Sequence, residues 1–220
     1  MALQDWSDRL LETMIVSDRM AAAAVIEQAL ETGIPPIQVI SGILDPALIR
    51  LGHGWEEETL SLAQGFVAAK IAEDVMLRCI PETGDSPPTK GAVVIGNIED
   101  DFHSLGRRIV TLFLTAAGWE VHDLGNDVPA ERFIDTALAV GARVVAASAM
   151  MQTTALNIRN LRELIDARGL QQRIKLGVGG AVFNWRPELV AEVGGDGTAR
   201  NAVGADELCT RLQAAAQAGG

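Results

Sequence analysis

Along the first 80 residues apolar positions recur at helical spacing. Leu10, Leu11, Met14 and Ile15 form one set, and Val25, Ile26, Ala29 and Leu30 a second. Gly33-Ile34-Pro35-Pro36 breaks the pattern and sets proline in the first turn of a third helix, through Ile37, Ile40, Ile43 and Leu44 towards Leu48 and Leu51. Gly52 and Gly54 read as the end of that helix, with Trp55 opening the following loop. A fourth helix is predicted over residues 60–77. Four helices with short connections predict a bundle over 1–80. Residues 81–90, PETGDSPPTK, carry three prolines and a glycine and predict a linker.

From residue 91 the period changes. Gly91 to Ile95, Trp119 to Leu124, Val144 to Ala147 and Ile174 to Val178 are short apolar runs, with a weaker fifth near Gly197. Helical patterns lie between and after them: Ile109 to Ala117, Ala130 to Val140, Leu156 to Ala167 and Asp206 to Ala216. This alternation predicts an α/β domain over 91–220, a parallel sheet covered on both faces. Five strands suit the flavodoxin-like, Rossmann-like doubly wound order, whose ligands sit at the carboxyl ends of the strands.

Composition narrows the classes. Hydrophobic residues make up 48% of the 220, enough for two cores. Eighteen Lys and Arg against 29 Asp and Glu leave a net charge of -11, which repels phosphate backbones and argues against a nucleic-acid partner. Cys79 and Cys209 form no C-x-x-C pair and read as small buried hydrophobes. The start, MALQDWSDRLLE, is amphipathic and lacks a signal peptide's basic end and apolar run, and no stretch suits a membrane span. The expectation is a soluble, cytoplasmic protein.

The chemistry is concentrated after the first strand, in Gly96-Asn97-Ile98-Glu99-Asp100-Asp101-Phe102-His103-Ser104-Leu105-Gly106. Within it stands Asp101-x-His103-x-x-Gly106. A histidine presents one ring nitrogen to a metal while the other donates to a carboxylate, which fixes the tautomer. Taken alone the motif is short, and reads equally as a polar loop with Asp101 capping a helix. Two further strand ends carry polar or glycine-rich groups: Ser148-Ala149-Met150, followed by Met151-Gln152-Thr153-Thr154, and Val178-Gly179-Gly180-Ala181.

The order D-x-H-x-x-G, then S-x-L (here Ser148-Ala149-Met150), then G-G, each after a successive strand, resembles the cobalamin-binding domains of methionine synthase and of corrinoid proteins in methyltransferase systems. The helical segment ahead of it, with Leu44-Asp45-Pro46-Ala47-Leu48 and Gly52-His53-Gly54-Trp55-Glu56, resembles their cap domain. The resemblance implies cobalamin (as methylcobalamin or cob(I)alamin) with His103 as the lower ligand of cobalt in a base-off, His-on state. It implies Asp101 and Ser148 as partners of that histidine. Gly106, Gly179 and Gly180 would line a channel for the displaced nucleotide tail, and Leu105, Met150, Thr153 and Trp55 would contact the cofactor. Departures from the family pattern are Asp100 in place of Gly, Ser104 in place of an acid, Arg107-Arg108 in place of Lys-Asn, Met150 in place of Leu and Thr198 in place of Tyr. Arg107 and Arg108 are expected to alter only the helix surface.

On this resemblance the chain is a corrinoid carrier, not catalytic alone. It would shuttle a methyl group between a substrate:corrinoid methyltransferase and a second enzyme acting on tetrahydrofolate or a thiol, with a reductive activator as a further partner. A Glu-His pair that follows the tryptophan after nine intervening residues, as in light-sensing cobalamin repressors, is replaced by Gly65-Phe66. A cobalamin-dependent sensor module stays open as the alternative reading, and the fold alone also suits a nucleotide or flavin.

Overall fold

A computed structural model describes residues 1–56, 60–79 and 88–218. The chain divides into two compact units, Met1–Pro81 and Glu82–Gly220. Residues 81–87 of the expected linker lie outside the described residues. Pro88 to Lys90 are described, and Thr89 and Lys90 donate their amides to the Gly118 carbonyl of the second unit.

The first unit packs α1 (Leu3–Ile15), α2 (Arg19–Glu31), α3 (Pro36–Val39), α4 (Asp45–Glu56) and α5 (Leu62–Arg78). Its core is the predicted apolar stripes: Leu10 and Met14, Val25, Ile26 and Ala29, Ile40, Ile43 and Leu44, and Ile71 and Val75, all buried. Pro36 occupies the first turn of α3 as expected. Ser61 and Gln64 cap α5 reciprocally. Between α3 and α4 the chain makes a π-helical turn, Ile40–Leu44. Pro46 explains its place. Proline has no N–H to return to the carbonyl four residues back, and the ladder widens just ahead of it.

Gly52 and Gly54 do not end the third helical segment, because α4 runs through both to Glu56 and Trp55 lies in its last turn. A glycine costs a helix interior only about 1 kcal/mol relative to alanine. Burial of Leu44 and Ala47 at the start of this segment offsets that.

The second unit is the predicted doubly wound domain. Its strands are β1 (Gly91–Asn97), β2 (Trp119–Asp123), β3 (Val144–Ser148), β4 (Lys175–Gly179) and β5 (Gly197–Thr198), all parallel in the order β2-β1-β3-β4-β5. Connections run through α6 (Ser104–Ala116), α7 (Ala130–Val140), α8 (Gln152–Ala155), α9 (Ile158–Ala167), α10 (Ala181–Trp185), α11 (Leu189–Glu192) and α12 (Ala205–Ala218). Side chains alternate along a strand, so the apolar run Val93-Val94 feeds two cores. Val94 packs with Phe133, Ile134, Leu161 and Ile165 from α7 and α9. Val93 packs with Leu114, Trp119, Cys209 and Leu212, under α6 and α12.

The sheet order reverses between β1 and β3, which makes their carboxyl ends the topological switch point. Register lines the ends up: Asn97 pairs with Ser148, and Ser148 with Gly179. Three segments distant in sequence therefore meet along one edge. Gly180 seals that edge. It sits at φ +117°, and a Cβ there would overlap the Ala149 carbonyl oxygen. Gly180→Ala should destabilise the sheet unit by about 3 kcal/mol or more. Urea denaturation followed by circular dichroism measures this, and a wild-type midpoint would refute the close approach.

Candidate cobalamin site

The loop from Ile98 to His103 leaves β1 and turns across the sheet edge. The Ile98 N–H donates to the Ser148 carbonyl, and the Asp101 N–H to the Ile98 carbonyl. Asp100 takes φ +67°. Left-handed backbone is costly for most side chains but tolerated by Asp and Asn. The Asp100 amide donates to Asp127 Oδ1 (2.9 Å), and its carboxylate accepts from Asn157 Nδ2 (3.3 Å). The glycine common at this position is thus replaced by a residue that pins the same turn through its side chain.

Asp101 has no exposed surface. Its Oδ1 accepts from Asn97 Nδ2 (2.7 Å) and the His103 N–H (3.0 Å), and its Oδ2 from the Met150 N–H and Thr154 Oγ1 (2.8 Å each). Burial alone would raise its pKa, but the four donors hold the carboxyl below its ordinary value. The buried group is therefore a carboxylate. His103 stands beside it with 54% of its side chain exposed and Nδ1 3.5 Å from Asp101 Oδ1. That distance is outside a good hydrogen bond.

The remaining expected residues divide by place. Leu105 is half-buried on the first turn of α6, and Gly106 beside it is exposed. Gly106 and Gly179 both have open space where a side chain would project. Phe102, Met150 and Met151 are exposed apolar residues next to the histidine and the Asp101 donors. Thr153 is exposed on α8, whereas Thr154 turns inward to Asp101. Ser148 ends β3 and gives its carbonyl to Ile98. The hydroxyl that reaches Asp101 is Thr154's, because Asp101 reaches across the edge to α8 beyond the strand end. Trp55 belongs to the first unit, and its side chain lies outside what is described. Asp101 does not cap α6: His103 occupies the N-cap position without a side-chain cap bond.

Arg107 overturns the expectation of a surface residue. It is 6% exposed. Its Nε donates to Asn97 Oδ1 (2.8 Å), Nη1 to Asp123 and Nη2 to Asn126 Oδ1 (3.2 Å). Burial, and then repulsion from Arg108, lower its pKa, yet a guanidinium stays protonated. Spacing explains its position. Arg107, Val110 and Leu114 follow the i, i+3, i+7 inward stripe of α6.

An accessible imidazole beside a buried carboxylate, rimmed by apolar side chains and glycine-lined space, fits a large metal-bearing macrocycle. Comparison with known proteins agrees. Residues 91–205 and residues 6–80 each match a family described as B12 binding domain. The chain is 34% identical over 184 residues to trimethylamine corrinoid protein 1 of Methanosarcina acetivorans, covering 81% of this chain and 85% of that one. The chain belongs to the B12-binding corrinoid proteins. Its fold matches the solved Methanosarcina barkeri monomethylamine corrinoid protein at a TM-score of 0.79 and 25% identity, covering 96% of this chain and all of that one. It also matches a chain of the methanol:cobalamin methyltransferase complex of the same organism at a TM-score of 0.53 and 24% identity, covering 96% and 80%. Cobalamin is the cofactor of this corrinoid protein. Among the described residues no helix is long and apolar enough to cross a membrane.

Asp101→Asn should destabilise the sheet unit. An amide presents N–H groups to one pair of donors that the carboxylate now accepts. The loss should be at least about 2 kcal/mol, since buried bonds to charged groups each contribute roughly 1.5–3 kcal/mol. Thr154→Val removes one donor of four and should cost only roughly 1–2 kcal/mol. Equal stability of Asp101→Asn and wild type in urea would sink this account of the loop.

Proposed function

We propose that this corrinoid protein is a methyl carrier that binds cobalamin base-off, with His103 as the lower axial ligand. The observation that supports it best is the half-exposed His103 imidazole beside the fully buried Asp101 carboxylate, at the topological switch point of the sheet. Bound cobalamin supplies a cobalt centre that takes up and gives up a methyl group.

The chain's own residues do the rest. With its proton on Nδ1, His103 faces the Asp101 carboxylate and keeps the Nε2 lone pair for the metal. Asp101 stays ionised because its four donors are built into the fold, so the tautomer does not depend on solvent. Gly106 and Gly179 would leave space for the displaced nucleotide tail, with Gly180, which follows Gly179, in the expected channel. Leu105, Phe102 and Met150 give the ring an apolar surface, with Thr153 at its rim.

The relatives' names support a methylated amine as the class of donor. A substrate:corrinoid methyltransferase would load the group, and a second methyltransferase would pass it to tetrahydrofolate or a thiol. A reductive activator would restore the cofactor after oxidation. A carrier serving such partners would work in the cytoplasm.

His103→Ala should leave the protein folded and cobalamin-bound but abolish the nitrogen splitting that a lower histidine ligand gives in electron paramagnetic resonance of the Co(II) form. Splitting that persists unchanged in the variant would reject the ligand assignment.

A further inference from the structure

Asn97 is the last residue of β1 and is fully buried. Its amide faces groups of opposite character on its two sides. On one side are acceptors: Nδ2 donates to Asp101 Oδ1 (2.7 Å) and to the His103 carbonyl (3.1 Å). On the other is a donor, Arg107 Nε, 2.8 Å from Oδ1. A guanidinium only donates, and a carboxylate and a carbonyl only accept. The amide orientation is therefore dictated by its neighbours.

Arg107 is itself fixed from outside the loop. It is anchored by Asp123 at the end of β2 and by Asn126 in the turn beyond. Asp123 Oδ1 also accepts the Gly125 N–H (2.9 Å), and the Gly125 carbonyl accepts the Asn97 N–H (2.9 Å). The network thus returns to the residue it orients. Without Arg107, nothing on that side would stop the Asn97 amide from turning over and setting its oxygen against Asp101.

We infer that Arg107 is a positioning residue for the lower ligand, acting through Asn97 to hold the Asp101 carboxylate and the His103 main chain in the ligating arrangement. The inference rests on the reading of His103 as that ligand. It assigns a function to a residue that stands where the family usually has lysine. Arginine reaches Asn97, Asp123 and Asn126 at once, whereas a lysine ammonium would keep a donor towards Asn97, the contact that orients the amide, without all three.

The test is the ratio of histidine-ligated to water-ligated Co(II) in the full chain loaded with cobalamin, read by electron paramagnetic resonance at one fixed pH. Arg107→Met should lower the ligation constant roughly 10–100-fold, the usual cost of losing an outer partner of a metal-bound histidine. Asn97→Thr should do the same. Arg107→Lys should restore most of the wild-type ratio, which a loss of fold would not permit. The double variant Asn97→Thr/Arg107→Met should be no worse than Asn97→Thr alone, because the two residues act in series. A wild-type ratio in Arg107→Met, or fully additive losses, would overturn the inference. Should Arg107→Met fail to fold, a wild-type ratio in Asn97→Thr overturns it equally. His103→Ala separates the two levels. If that variant keeps the nitrogen signal, the ligand reading fails and the inference with it. If it loses the signal while Arg107→Met matches wild type, only the inference falls.

Discussion

A carboxylate with no exposed surface is the constraint on which the site depends. A buried hydrogen bond to a charged group contributes roughly 1.5–3 kcal/mol, so Asp101 with its four donors fixes the position of whatever serves it. Its four donors come from the end of β1, from its own loop, from the loop after β3 and from α8. None of these lies within the hydrophobic cores. They meet only because the order β2-β1-β3 brings two strand ends together with Asn97 opposite Ser148. The sheet therefore does more than carry the loop. Its register makes a buried anion tolerable at this edge.

A second charge is buried beside the first and is balanced separately. Arg107 pairs with Asp123 and not with Asp101, with the neutral Asn97 amide between them. Direct pairing of Arg107 with Asp101 would have used acceptor sites that now serve His103 and Met150. Keeping the ions apart lets the guanidinium orient the amide while the carboxylate stays turned towards the histidine. Such buried polar networks are stabilising only when every member is satisfied. Each polar atom along this path that faces protein has a named partner.

The fold was largely legible because its signals are local. Period-3.6 patterns located the main helices of both units and short apolar runs the strands of the second, and the alternation of strand and helix gave the parallel sheet. What escaped was set by tertiary context. Gly52 and Gly54 looked like breakers, yet packing earlier in the segment carries α4 through them. The π turn before Pro46 follows from a missing N–H, a clue present in the sequence but weaker than the apolar stripe around it. The histidine, the aspartate and the glycines proposed for the site came from the resemblance of three strand-end motifs to the family. Thr154 was not, since its neighbour Thr153 is chemically identical and only the helix phase of α8 distinguishes them. Arg107 did leave a signal: an arginine on the inward stripe of an amphipathic helix needs acceptors, and Asn97 and Asp123 are polar residues at strand ends, with Asn126 in the turn beyond β2.

The distribution of exposure at this edge suits a carrier more than a closed catalyst. Asp101, Asn97 and Arg107 are buried, and they are held by bonds that reach the strand ends, α6 and α8. His103, Phe102, Met150 and Met151 stand outward on top of them. A ligand held by one exposed side chain is positioned only as well as that side chain's support. Here the support is the His103 main chain, whose N–H donates to the buried Asp101 carboxylate and whose carbonyl accepts from Asn97. Preorganisation of this kind lowers the entropy lost when a large ring is seated. With His103 as the proposed lower ligand, it would also leave the other face of the ring free of the network. On that reading a group carried there could be approached by different partners without disturbing the bonds that hold the histidine in place.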